Sequence, residues 1–507
     1  MPGIEGPPAA LPAALGQRLP ATRRSSVALL LALGFAAHRA RAEGGYFVGA
    51  KGARASGRAG AYTVKADDLT AVVYNPAGLV RHGGNELTLG NRFAYHGQSF
   101  RREPTLDWGN TEDGVPPYVQ FAQVDNQAPW QLLEPLVAVA SDLGLPGVRL
   151  ALSAMAPPGQ AEQRFEQGGA QRYLMVSRKS QWINYAVSGA FGSADEFGLG
   201  VSLVWIQLRK LEYQLVIDGN TLGGQAHPVA SELDMLTKIS GSDPFTFNAV
   251  VGGWYRPLPY LEVGVSAQVV PATLKSQSHL SVQPLAIDSE VELERNGEKA
   301  NDVSVELPLP LTARAGVRFL GLEQGRELFD IEVDLVYETW SRVERFEVAT
   351  RGLTATLRGQ SLSLDEIAIE KHWQDTLALH VGGDYQVVPE RLSLRAGAML
   401  ASALAGPAYA HVDFPSAPRL GAGLGASVFL PRGVELALGY EVQRQASTRV
   451  SEGKARVYQI APGSGCQPPY DSTACHPAYL GRPAPAVNAG SYRALSHMAS
   501  LDVSYRF

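Results

Sequence analysis

The 507-residue chain is 45% hydrophobic and 18% charged with a formal net charge of −5, so it has no cationic excess with which to bind nucleic acid. Its 53 glycines against six methionines disfavour a helical enzyme and suit an architecture of strands and turns.

At the N-terminus, Arg23 and Arg24 precede an apolar run from Val27 to Ala37, and Ala40-Arg41-Ala42 supplies a small-x-small cleavage site. Residues 1–42 therefore read as a secretory signal peptide. The arginine pair also fits twin-arginine export, but it stands alone, and ordinary secretion is the expected route. Cleavage removes Arg18, Arg23, Arg24, Arg39 and Arg41 against Glu5, leaving the mature chain more acidic. No later stretch reaches the roughly 18 apolar residues of a membrane-spanning helix. A chain that spans the membrane without such a helix must close into a barrel, because only then is every backbone group satisfied in lipid.

Residues 43–84 are rich in Gly and Ala, with neither strand alternation nor enough bulk for a core of their own. Placed ahead of a barrel, such a segment suits a plug within the lumen. From residue 85 onward, period-two alternation recurs, predicting strands at 85–95, 132–142, 147–156, 179–191, 197–208, 246–256, 260–270, 310–319, 328–338, 375–386, 391–401, 418–429, 433–444 and 494–507. Every second connection is a tight turn, as at 142–147, 192–196, 256–259, 321–326, 388–390 and 431–433, and those between are long. This asymmetry predicts an all-β fold: a 14-stranded antiparallel transmembrane β-barrel over 85–507, with short periplasmic turns and long outer loops.

The faces agree. Leu311, Ala313, Ala315, Val317 and Phe319 alternate with Thr312, Arg314, Gly316 and Arg318; in the next strand Phe329, Ile331, Val333, Leu335 and Tyr337 alternate with Asp330, Glu332 and Asp334. Arginines and carboxylates thus meet inside the barrel, since a charge facing lipid at mid-depth costs about 2–4 kcal/mol. The cysteines, Cys466 and Cys475, lie in a Pro/Gly-rich stretch and are expected to form one disulfide in an exported protein; metal ligation with His476 lacks further ligands nearby. The final strand alternates apolar Ala499, Leu501, Val503, Tyr505 and Phe507 with polar partners and closes on an aromatic, as outer-membrane barrels do.

Gly57-Arg58-Ala59, Ala66-Asp67-Asp68 and Asn75-Pro76-Ala77-Gly78-Leu79, in this order behind a signal peptide, resemble the hatch of the FadL/TodX (OMPP1) family of outer-membrane long-chain fatty acid and hydrocarbon transporters. Trp340-Ser341, Trp373-Gln-Asp-Thr376, Leu392-Ser-Leu-Arg-Ala-Gly397 and Phe414-Pro extend the resemblance over nearly the whole mature chain. It implies a monomeric, passive channel in the outer membrane of a Gram-negative bacterium, carrying a hydrophobic small molecule into outer-membrane lipid, with no cofactor, metal or nucleic acid. In that family outer loops catch the ligand, movement of the hatch N-terminus (here Tyr46 and Phe47) releases it, and exit is sideways where the third strand kinks beside the Asn-Pro-Ala motif. Asn75, Pro76 and Ala77 carry that motif, and Met155 to Gly159 end the third strand. Long-chain fatty acids are the expected ligand, with monoaromatic hydrocarbons the alternative. A carboxylate needs a cation: Arg314, Arg318 and Arg395 face the lumen. Since Glu332 and Asp334 face them, at least two are expected to form structural ion pairs. Arg395, His380 and Asn184 have less obvious partners.

Two rivals belong to other classes. A barrel enzyme would need a dyad such as His380 with Ser393 and Asp384 on adjacent strands, but no nucleophile elbow or His-Glu-x-x-His run is present. Gly421 to Gly425 resembles a nucleotide loop only superficially and is expected to leave room for the hatch, while Asp67-Asp68 fits a turn better than a cation site. An adhesin is suggested by the large loop 445–493; an open porin is disfavoured by the plug.

Overall fold

The computed structural model describes residues 45–106, 118–159, 161–218, 234–286, 288–357, 359–364, 367–414, 416–461 and 486–507. The predicted signal peptide and both cysteines lie outside the described residues.

Fourteen strands form the barrel: β1 (Asn85–Arg102), β2 (Trp130–Ser141), β3 (Val148–Met155), β4 (Ser177–Ser193), β5 (Phe197–Asp218), β6 (Asp234–Leu258), β7 (Leu261–Gln268), β8 (Thr312–Glu323), β9 (Arg326–Glu338), β10 (Thr376–Val388), β11 (Leu392–Ala401), β12 (Arg419–Leu430), β13 (Val434–Gln445) and β14 (Gly490–Arg506). Each pairs antiparallel with the next, and β14 returns to β1 from Glu86↔Arg506 to Arg102↔Gly490, closing the sheet. Closure removes the two free edges an open sheet would present to lipid.

Alternation places the greasy faces outward. Ile331 and Leu335 are each about half exposed, whereas Glu332 and Asp334 between them have no exposure at all. Aromatic side chains gather near both rims of this apolar band: Tyr95 on Trp130 and Tyr185 on Trp205 at the long-connection end, Phe191 near Phe197 and Tyr505 on Phe507 at the short-turn end. Aromatic girdles at the two water interfaces are what a membrane barrel carries.

Several strands run well beyond the predicted spans, and a change of phase explains why. In β5, Leu199, Val201, Leu203 and Trp205 point outward with Ser202, Val204 and Ile206 inward; after a bulge at Arg209, Leu211, Tyr213, Leu215 and Ile217 are the buried residues. Inside the membrane the apolar face meets lipid; above it, water lies outside and the apolar face turns inward. The connections 269–311 and 339–375, expected as loops, continue this upper wall: Thr273–Pro284 pairs with β6 and with Asp302–Pro308, which continues through Arg345–Ala349 to Ile367–Glu370.

The N-terminal segment lies against the inward side chains of the strands. It contains α1 (Ala53–Gly57), α2 (Ala71–Tyr74) and a 3-10 turn, Pro76–Arg81, and is buried almost throughout. Gly423 and Gly425 of β12 make room for it, because a Cβ there would collide with the backbone at Ser56 and Gly57. Gly421 instead faces Met399 and Gln443. Asp68 accepts from the Thr70 backbone N–H at 2.8 Å, shaping the turn into α2, and Asp67 accepts from Arg54 and from the Tyr62 hydroxyl.

Candidate ligand chamber and wall opening

Above the membrane band, the inward apolar side chains of the extended strands enclose a narrow chamber bounded by Trp182, Leu211, Ile239, Leu307, Phe346 and Phe414. Tyr46 closes its floor. The Tyr46 ring lies 5.2 Å from that of Trp340, 5.3 Å from Phe414 and 5.5 Å from Trp182, a cluster of edge-on and tilted contacts that fixes the start of the N-terminal segment. The chamber contains one cation, Arg178. It is buried, stacks 4.2 Å over the Phe414 ring and donates to Gln163 Oε1 at 2.7 and 3.0 Å; among the described residues no carboxylate lies within ion-pair distance.

The segment carrying Phe414 is pinned by a buried cluster: Lys371 Nζ lies 2.5 Å from Asp413, and His411 Nδ1 2.6 Å from it. Burial alone would raise the Asp413 carboxyl, but His411 and Lys371 reverse this and hold it well below the usual carboxylate range.

Below and beside the chamber the wall is broken. β3 ends at Met155, whose partners are Leu136 on β2 and Asn184 on β4, and the chain returns to β4 only at Glu162–Arg164, opposite Lys179–Ser177. Between these points β2 and β4 lack their shared neighbour. An open space of about 300 Å³ fills this gap, bordered by Leu133, Pro135, Pro157, Gly159, Ile183 and Arg209. Proline twice in Ala156-Pro157-Pro158 removes the donors a continuing ladder would need. The N-terminal tip takes part: Phe47 bridges Gly159, and the Val48 N–H points to the Pro158 carbonyl at 3.4 Å. On the other side of Phe47 lies an interior cavity of about 150 Å³, reached also by Lys51, Asn184, Arg314 and His380. Tyr46 borders the chamber and the gap, and Phe47 the gap and the interior cavity.

The residues singled out in the sequence thus separate into groups. Tyr46 and Phe47 stand where the spaces meet. Asn184, Arg314 and His380 line the interior cavity: the Asn184 Oδ1 has no hydrogen-bond partner among the described residues, Arg314 sits 5.3 Å over the Tyr74 ring, and His380 Nδ1 is 2.6 Å from the Ala59 carbonyl. Asn75, Pro76 and Ala77 lie elsewhere. Asn75 donates to the Thr63 and Gly253 carbonyls, Ala77 O accepts from Trp254, the Pro76–Ala77 backbone packs on Gly200 of β5, and the Asn75 and Pro76 side chains pack on Gly252 of β6. The break in β3 is therefore bordered by Tyr46 to Val48 and not by the Asn-Pro-Ala motif.

Two arginines expected as ligand candidates are already bound. Arg318 contacts Glu262, Glu327 and Asp330 at 2.8, 2.5 and 3.0 Å, and Arg395, which seemed to lack a partner in the sequence, meets Asp384 at 3.0 Å and Ser427 at 2.8 Å. The same Asp384 binds Arg58, which also meets Asp330 and Glu332 at 2.7 and 2.8 Å. Asp384 is therefore committed to arginines and does not orient His380 toward Ser393. The main polar residues missed by sequence reasoning are Arg178 and Lys51. Arg178 was legible: it shares the inward parity of Ser180, Asn184, Ala186 and Ser188, one residue before the predicted start of β4. Lys51 lies in an irregular segment with no period to orient it.

The chain matches a family model described as outer membrane protein transport protein (OMPP1/FadL/TodX) over residues 33–475. In fold it is similar to a Pseudomonas aeruginosa FadL homologue (16% identity, TM-score 0.67, covering 91% of this chain and 100% of the other). It is also similar to the P. putida toluene transporter TodX (12%, 0.59, 90% and 98%) and the Ralstonia pickettii toluene transporter TbuX (13%, 0.54, 90% and 98%). No curated protein sequence matches it.

Proposed function

Since this chain belongs to the OMPP1/FadL/TodX family of outer-membrane transport proteins, we propose that it is a passive, monomeric channel for long-chain fatty acids, with residues 43–84 as its hatch and the break in β3 as its exit into the bilayer. The observation that carries the fatty-acid reading is Arg178, a buried cation whose hydrogen-bond partner is neutral, set in a chamber lined mostly by aliphatic and aromatic side chains. Such a chamber takes an amphiphile: the tail gains roughly 0.8 kcal/mol per methylene buried, and the guanidinium offers a bidentate site for the carboxylate. The aromatic cluster around Tyr46 would also suit a monoaromatic hydrocarbon, for which Arg178 has no use.

The plug reading is supported by the ion pairs between the N-terminal segment and β9, β10 and β13, which tie Arg54, Arg58 and Lys65 to carboxylates of the wall. Those pairs hold the body of the segment, so release is assigned to the tip at Tyr46–Val48, which forms no ion pair among the described residues and meets the wall through aromatic packing, the bridge to Gly159, and hydrogen bonds from Arg92 to the Val48 carbonyl and from Arg419 to the Phe47 carbonyl. Uptake of labelled oleate and of toluene by cells carrying the protein, with and without residues 45–48, tests the function. Oleate uptake that changes with the deletion supports it; uptake of toluene alone shifts the ligand class, and uptake of neither removes the transport reading.

A further inference from the structure

Lys51 is 4% exposed, and its ammonium lies within hydrogen-bond distance of two backbone carbonyls, Glu134 O at 3.1 Å and Pro135 O at 3.0 Å. Both carbonyls belong to β2 at the place where β3 has ended and the wall gap begins. Among the described residues no carboxylate lies within 4.0 Å of Nζ; the carboxylate of Glu134 itself is taken by Arg92 at 2.7 Å. An ammonium has three donors. Two are used on the β2 edge, and the side chain borders the interior cavity, where the third remains for a ligand. A buried cation whose direct partners are neutral carbonyls, with the Glu134 and Asp502 carboxylates acting on it only from a distance, is incompletely compensated, and an entering anion would supply what is missing.

We propose that Lys51 takes the carboxylate of an acidic amphiphile at the inner lip of the wall gap, so that the ligand leaves tail first. This rests on the fatty-acid reading above. The outward side of the gap is bordered by Leu133, Pro135 and Ile183, apolar neighbours for a hydrocarbon tail, while Lys51 lies on the inner side. Arg178 and Lys51 then act in sequence: the first receives the headgroup in the chamber, the second at the exit. The tail enters the bilayer while the charge is still paired, so the carboxylate is not stranded in the hydrocarbon layer.

The test compares oleate with methyl oleate, which has the same tail and no charge, in cells carrying the wild-type protein, Lys51→Met or Lys51→Arg at matched outer-membrane levels. Loss of one charge-assisted hydrogen bond should lower oleate uptake roughly tenfold in K51M; K51R should recover most of it, and methyl oleate uptake should stay at the wild-type level. If K51M slows both solutes equally, Lys51 only caps the β2 edge and the proposal is overturned. It is equally overturned if K51M slows neither. Wild-type protein that admits methyl oleate but not oleate would remove the fatty-acid reading itself, an outcome visible before any variant is compared.

Discussion

Phe47 and Gly159 form an antiparallel backbone bridge, joining the tip of the N-terminal segment to the chain that has just left β3. The piece that blocks the wall gap is therefore the same piece that seals the floor of the chamber. A Cβ at position 159 would lie 2.7 Å from the Tyr46 carbonyl, closer than a real contact allows. Gly159→Val should push the tip off the wall, and a hydrophobic fluorescent dye should then enter cells carrying the variant faster than cells carrying wild type. Equal dye entry would show that the bridge does not hold the gap shut.

The chamber cation gives a second prediction. Arg178→Met removes the guanidinium while keeping apolar bulk, so the Kd of purified protein for oleate should rise roughly tenfold with little change for methyl oleate. Isothermal titration in detergent reads both ligands on the same sample.

A third concerns the interior ions. Arg58 is fully buried and touches Asp330, Glu332 and Asp384 together, so Arg58→Met leaves buried Glu332 without its cation, while Asp330 and Asp384 keep Arg318, Lys65 and Arg395. Breaking a buried pair in this way costs about 3–5 kcal/mol. Equilibrium unfolding in detergent should show a loss of that order, whereas Arg326→Met, at an exposed ion pair, should change little.

Lipid contact gives a fourth. Leu335 projects outward from β9, and Leu335→Arg should cost about 2–4 kcal/mol when the protein refolds into lipid vesicles. A much smaller cost would place this position outside the hydrocarbon layer.

Mild acid should loosen the segment that carries Phe414, and through His411 rather than Asp413. Burial depresses the His411 imidazole below its ordinary pKa near ~6.5, so its contribution is complete above that value and declines as pH falls toward the depressed one. The Asp413 carboxyl, already held below its ordinary ~3.9, contributes fully above that pH and is lost only under much stronger acid. Limited proteolysis of 402–414 in vesicles should be faster at pH 5 than at pH 7, and His411→Gln should abolish the difference.

Strand number and facing were legible in the sequence because lipid enforces the alternation of Ile331, Val333 and Leu335 against Glu332 and Asp334 at every position. The upper wall was less legible because its rule is reversed: after Arg209 the apolar residues of β5 face inward, so a pattern tuned to lipid stops at residue 208. The site was harder still. Arg318 and Arg395 have the right type and parity for a ligand cation, but which carboxylates they meet depends on register across strands and on Arg58, which enters from outside the barrel sequence. Lys51 has neither period nor parity, and its significance arises only where β3 ends beside it.

The most direct test of the account fills the wall gap. Ala156→Trp combined with Ala161→Trp places two large side chains where β3 breaks off, with sugar exclusion in liposomes and heat-modifiable migration confirming an intact barrel. If the gap is the exit, oleate uptake should fall to the level of cells lacking the protein; uptake that persists at the wild-type rate would contradict lateral release and direct the route through the plug.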